Sequence, residues 1–216
     1  IHDSATNPLD GRLYILLDDD LLHLDNQASK QIIDIELGLQ GRSLAIDADG
    51  SRLLIGTADG KVLSRSLVDS SVQTDLMAAD DDTAIVRAVA IDDYGTLWAI
   101  TDCLLHHMTV SQSSWTDTQL CTSDVLEIPT DLLIFSDKIY VATAENGMIV
   151  LDYNTTSDST GISAAIDTYT YWNTGNYLTS NSITQLEKLN SNLLIATIGG
   201  GVNRYDMVAD TWLATW

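Results

Sequence analysis

Short apolar runs alternate with short polar ones along the whole chain, and helical spacing of apolar residues is not sustained in any window. Five runs share one pattern: Leu13-Tyr14-Ile15-Leu16-Leu17, Leu53-Leu54-Ile55-Gly56-Thr57, Leu97-Trp98-Ala99-Ile100-Thr101, Ile139-Tyr140-Val141-Ala142-Thr143 and Leu193-Leu194-Ile195-Ala196-Thr197. Their starts lie 40, 44, 42 and 54 residues apart, the last interval carrying an insertion. That period is the length of four short strands with their turns, too long for a small solenoid repeat. Each run is apolar nearly throughout, as a strand covered on both faces must be, and Gly56, Ala142 and Ala196 leave room for a neighbouring sheet.

The flanks repeat as well. Arg42-Ser43-Leu44-Ala45-Ile46-Asp47 and Arg87-Ala88-Val89-Ala90-Ile91-Asp92 read as equivalent strands leading through turns at Asp49-Gly50 and Tyr94-Gly95 into the apolar run. Turns follow at Ala58-Asp59-Gly60, Glu145-Asn146-Gly147 and Gly199-Gly200-Gly201, then third strands at 148–153 and 202–205. Outer fourth strands are expected around Trp115, Trp172 and Trp212. The pattern predicts an all-β chain with little or no helix, a β-propeller of five four-stranded antiparallel blades in one domain, 1–216. The repeats divide at 1–37, 38–78, 79–122, 123–177 and 178–216, and polar segments 74–85, 122–130 and 155–168 read as loops. Residues 1–4 are the one stretch left for the innermost strand of the first blade, so a closed five-bladed monomer is a tight fit.

The last repeat is the most specific. Leu178-Thr179-Ser180-Asn181-Ser182-Ile183, Asn192-Leu193-Leu194-Ile195-Ala196-Thr197 and Gly200-Gly201-Val202-Asn203-Arg204-Tyr205-Asp206 resemble the two-component regulator propeller repeat, with Gly95-Thr96-Leu97-Trp98 and Ile55-Gly56-Thr57 matching pieces of it. Thr179 stands where that family has proline, only Trp98 keeps its tryptophan, and Leu16-Leu17 replace Gly-Thr in the first repeat. The resemblance implies an extracytoplasmic sensor propeller attached to a signalling protein, and it transfers no catalytic residue.

Composition narrows the partners. The 216 residues carry 10 Lys and Arg against 31 Asp and Glu, a net charge of −21, which repels nucleic acid and anionic membrane surfaces alike. No apolar stretch is long enough to span a bilayer, and 45% hydrophobic residues suit a folded core. Nearly all the acids are Asp, which closes tight turns through its own side chain. With four lysines and abundant Ser and Thr, the surface reads as extracellular or periplasmic.

Candidate chemistry is sparse. His23 and His106 fall on equivalent third strands and read as strand-surface residues. Cys103 with His106 or His107 does not match a zinc spacing, and Asp47-Ala48-Asp49-Gly50 lacks the later ligands of a calcium loop, so neither metal nor cofactor is expected. Arg42 and Arg87, at equivalent starts of innermost strands, would face one another at the channel mouth as an anion or carboxylate site, or else make structural ion pairs with nearby Asp. Tyr169, Tyr171, Trp172 and Tyr177 crowd the insertion, either as a glycan- or partner-contacting surface or as one face of an outer strand. Strands at 104–110 and 115–121 would bring Cys103 and Cys121 to one end of a hairpin, within reach of a disulfide. The leading expectation is a non-enzymatic extracellular propeller binding a small ligand or a protein; the rivals are a structural or adhesive module, and a hydrolase or lyase with a carboxylate pair at the channel mouth.

Overall fold

A computed structural model describes residues 2–17, 21–24, 30–33, 40–69, 73–77, 84–109, 114–120, 128–154, 161–162 and 167–214. Among the described residues there are 21 strands and no helix. They form five antiparallel sheets, each drawn from one contiguous stretch of chain. The first is β1 (Asp3–Thr6), β2 (Leu13–Leu16), β3 (Leu21–Leu24) and β4 (Lys30–Ile33); the second is β5 (Gly41–Ile46), β6 (Arg52–Thr57), β7 (Val62–Ser66) and β8 (Gln73–Met77). The third is β9 (Ala88–Ile91), β10 (Leu97–Ile100), β11 (Leu104–Met108) and β12 (Thr116–Gln119). In the fourth, β13 (Pro129–Phe135), β14 (Lys138–Thr143) and β15 (Met148–Asn154) are followed by β16 (Gly161–Ile162) and β17 (Asp167–Tyr169), which pair with opposite ends of β15. The fifth is β18 (Ile183–Leu189), β19 (Asn192–Thr197), β20 (Gly201–Asp206) and β21 (Thr211–Leu213).

These are the blades of a β-propeller, and the second strand of each shows why its sequence is apolar throughout. Successive side chains point to opposite faces of a strand. In β6, Leu53 and Ile55 pack with Tyr14, Leu16 and Leu44, whereas Leu54 packs with Val89, Leu97 and Ala99 of the third blade. A polar residue on either face would be buried without water. Gly56 continues the second face: a Cβ there would stand 2.6 Å from Val86 Cγ1.

Two compact units divide the chain, Ile1–Asp117 and Thr118–Trp216. Inside each, a hydrogen bond at one register position recurs between consecutive blades. Leu44 N–H donates to Asp3 Oδ2 (2.7 Å) and Val89 N–H to Ser43 Oγ (3.1 Å) in the first unit, and Leu186 N–H donates to Asp131 Oδ2 (2.6 Å) in the second. Asp3, Ser43 and Asp131 sit opposite Leu16, Gly56 and Ala142, so the three acceptors are structural equivalents. Within the blades, the threonine closing the apolar run latches the next turn: Thr57, Thr143 and Thr197 donate to the carbonyls of Lys61, Gly147 and Gly201 at 2.8 to 3.0 Å.

Several strand boundaries differ from those read in the sequence. The first innermost strand is Asp3–Thr6, shifted from 1–4, and the outer hairpin of the third blade is shorter than 104–110 and 115–121. Segments 74–85 and 155–168, read as loops, contain or overlap β8, β16 and β17. An outer strand has a neighbour on one side only and needs backbone pairing more than apolar side chains, which is why its polarity hid it. The outer strand of the fourth blade ends at Tyr169, and Trp172 stands beyond it in a turn.

Candidate functional site

Innermost strands begin with a residue that escapes the pairing ladder. The register of β5 with β6 shifts between Gly41 and Ser43, leaving Arg42 in a bulge, and β18 shifts likewise between Ile183 and Gln185. Bulges redirect a side chain. Ser43 opposite Gly56 corresponds to Ala88 opposite Ile100 and Asp3 opposite Leu16, so Arg42, Arg87 and His2 hold one register position in three successive blades.

The two predicted arginines are engaged differently. Arg87 Nε donates to Asp102 Oδ1 at 2.8 Å, an ion pair on the partly exposed surface of the third blade. Arg42 donates from Nη2 to Gln40 Oε1 (2.9 Å) and from Nη1 to His2 Nδ1 (3.3 Å), and among the described residues its Nε, sealed from solvent, has no hydrogen-bond partner. A guanidinium carries five donors in a fixed fork, and Arg42 leaves part of that fork unused. Asp47 and Asp92 lie at the other end of these strands and are consumed in turns: Asp47 accepts from Arg52 N–H and Ser51 Oγ, Asp92 from Thr96 N–H and Trp98 Nε1.

His106 is not a strand-surface residue. It is buried in β11, with Nε2 3.2 Å from Thr101 Oγ1 and Nδ1 2.7 Å from Asp117 Oδ1. Hydroxyl, imidazole and carboxylate follow the order of an acyl-transfer triad, but Thr101 is 3% exposed and its hydroxyl also approaches the Leu104 carbonyl (3.4 Å), so the array braces the third blade from inside. Asp117 carried no signal in the sequence; the recurring threonine followed five residues later by histidine was the available one. His107 is buried against Trp98, and desolvation holds its imidazole below the usual histidine range, with Asp117 acting in the opposite sense. His23 lies on β3, and its side chain falls outside the described residues, as does Cys121. Cys103 stands immediately before β11, and no described cysteine is free. No group of three His, Cys, Asp or Glu side chains among the described residues is placed to hold a metal ion.

The four aromatics near the insertion separate into two kinds. Tyr169 is half-buried against the core: its ring meets Tyr205 at 5.6 Å and Trp212 edge-on at 5.5 Å, and its hydroxyl lies 3.4 Å from that of Tyr205. Burial and the charge of Asp210 push Tyr169 up to about 12, and burial with Asp210 and Asp152 pushes Tyr140 to about 12. Trp172 is 80% exposed and Tyr177 45% exposed, with Tyr171 half-buried edge-on against Trp172 at 4.9 Å and 82°.

No family model matches the chain, and no curated protein matches it in sequence. Solved structures do resemble it. One in a nidogen/laminin complex aligns over 100% of this chain and 79% of its own with a TM-score of 0.70 at 12% identity, and the WD40 β-propeller domain of Doa1 aligns over 100% and 68% with a TM-score of 0.69 at 14% identity. The extracellular domain of a hybrid two-component system of B. thetaiotaomicron aligns over 94% of this chain but 27% of its own, with a TM-score of 0.67 at 16% identity. At these identities the likeness is one of fold. The chain is a β-propeller, similar in fold to the WD40 propeller domain of Doa1, to a chain of a nidogen/laminin complex and to the extracellular domain of a two-component system.

Proposed function

We propose that this propeller is a non-enzymatic, extracytoplasmic binding module that takes a small carboxylate ligand at Arg42. The observation that carries the reading is the state of that guanidinium. In a chain with 31 acidic residues, its hydrogen-bond partners among the described residues are a neutral amide and an imidazole nitrogen, and its buried Nε has no described partner. A carboxylate would meet Nη1 and Nη2, whose bonds to His2 and Gln40 lie on the exposed side, with paired, charge-assisted hydrogen bonds. The net charge of −21 opposes an anion at long range, but charges beyond about 8 Å are largely screened at physiological salt, so the local fork decides. Likeness to the extracellular domain of a two-component system supports a sensing role, and the buried position of the Thr101 hydroxyl supports binding over turnover.

Isothermal titration with succinate and glutarate tests this. Arg42→Ala should weaken binding at least tenfold, because a hydrogen bond to a charged group is worth about 1.5 to 3 kcal/mol. Arg87→Ala should leave affinity unchanged, since Arg87 is already held by Asp102. Equal affinities for wild type and Arg42→Ala would remove the site.

A further inference from the structure

Residues 168–186 contain no charged side chain, nineteen positions in succession in a chain that is 19% charged. The segment is instead rich in hydroxyls, carboxamides and aromatic rings, and it leads from β17 into β18. Its turn is framed by its own hydrogen bonds. Asn173 Oδ1 accepts from Thr170 N–H (2.8 Å) while its Nδ2 donates to the Thr168 carbonyl (2.6 Å); Thr174 Oγ1 donates to the Thr170 carbonyl (2.9 Å) and accepts from Leu178 N–H (3.0 Å). Tyr171 N–H donates to Asn181 Oδ1 at 2.6 Å, tying the far end of the segment to the turn. On this frame Trp172 projects 80% exposed, its ring supported edge-on by Tyr171.

We infer that this turn is a saccharide platform for a neutral oligosaccharide, with Trp172 as the stacking ring. The apolar C–H face of a pyranose packs on an indole, and its hydroxyls, each both donor and acceptor, suit a segment whose polar side chains are all uncharged amides and hydroxyls. A cationic peptide would be met by acids, and a polyanion by bases; the segment has neither. The frame is built before the ligand arrives, so little ordering entropy opposes binding. The inference is independent of Arg42, which lies in the other unit.

The test is titration calorimetry with hexasaccharides of glucose, mannose and galactose and with a polyuronate of equal length, on wild type, Trp172→Ala, Trp172→Phe and Arg42→Ala. At least one neutral series should bind, Trp172→Ala should weaken it tenfold or more, Trp172→Phe should retain most of the affinity, and Arg42→Ala should match wild type. The polyuronate should bind more weakly than the neutral chain. No binding of any neutral series to wild type, unchanged affinity in Trp172→Ala, or equal binding of the polyuronate would overturn it. Because Arg42→Ala is read in both titrations, a failed carboxylate site and a failed saccharide platform give different results.

Discussion

His107 and Trp98 face one another across the pairing of β10 with β11, their ring centroids 5.2 Å apart and their planes tilted by 32°. Both are fully buried. Desolvation lowers the imidazole's pKa, so the folded state takes up a proton less readily than the unfolded chain, whose histidines titrate near 6.5. Stability is therefore fully present above about 6.5 and is lost as pH falls through the folded value. Urea unfolding between pH 7.5 and 4.5 should show a decline that is reduced in His107→Phe; an identical pH dependence in the variant would refute the assignment.

Asp3 links the first two blades by accepting from Leu44 N–H. Asp3→Ala should cost about 1 to 3 kcal/mol, the usual penalty for a donor left without its partner. Burial raises the Asp3 pKa against the lowering effects of its hydrogen bonds from Leu44, Ser4 and Ser43. An acid raised in the folded state contributes stability below its unfolded pKa of 3.8 that is lost as pH rises through the folded value. The cost of Asp3→Ala should thus be larger at pH 3.5 than at pH 7, as read from denaturant midpoints at the two values.

Gly147 turns the chain from β14 into β15 with a φ of +80°, and a Cβ there would stand 2.0 Å from the Tyr169 carbonyl oxygen. Backbone cannot yield as a flexible side chain does. Gly147→Ala should destabilise the protein by about 2 to 4 kcal/mol, combining left-handed strain with overpacking. Gly199→Ala, at φ +78° with nothing within 4 Å, should cost only the conformational part. Equal thermal midpoints for the two variants would show that the carbonyl contact does not matter.

Tyr140 and Tyr169 share the aromatic cluster with Tyr205, whose hydroxyl donates to Asp210. Both are pushed to about 12, so they favour the folded state below the unfolded value of 10.0 and that contribution is lost as pH rises toward 12. Phenolate absorbance should rise in two stages, the later one accompanied by unfolding, and Tyr169→Phe should diminish the later stage. A single transition near 10 would contradict it.

Cys103 and Cys121 are the chain's two cysteines. A bridge between them would close a short loop across the outer hairpin of the third blade and stabilise it by about 3 kcal/mol on the chain-entropy argument. Intact mass after alkylation without reductant should show no added label; two labelled thiols would exclude the bridge.

Local signals along the chain were enough for the blades. A buried strand must be apolar on both faces, an Asp-Gly or Asn-Gly turn must close the hairpin, and a threonine at 57, 101, 143 or 197 must end the run, so Leu53 to Thr57 and its copies could be located without coordinates. The outer strands β8, β16 and β17, which carry no tryptophan, were not legible, because one-sided pairing places little demand on side-chain type. Roles that depend on neighbours far along the chain were not legible either. Arg42 and Arg87 look alike in sequence, and only the fold gives Asp102 to one and leaves the other beside Gln40 and His2. Tyr169 and Trp172 look like one aromatic cluster, yet Tyr169 meets Tyr205 and Trp212 from the next blade while Trp172 is carried past the end of its strand into water. Strand patterning is a contest between neighbours a few residues apart, whereas burial of a side chain is settled by residues forty positions away that reach it only when the blades stack.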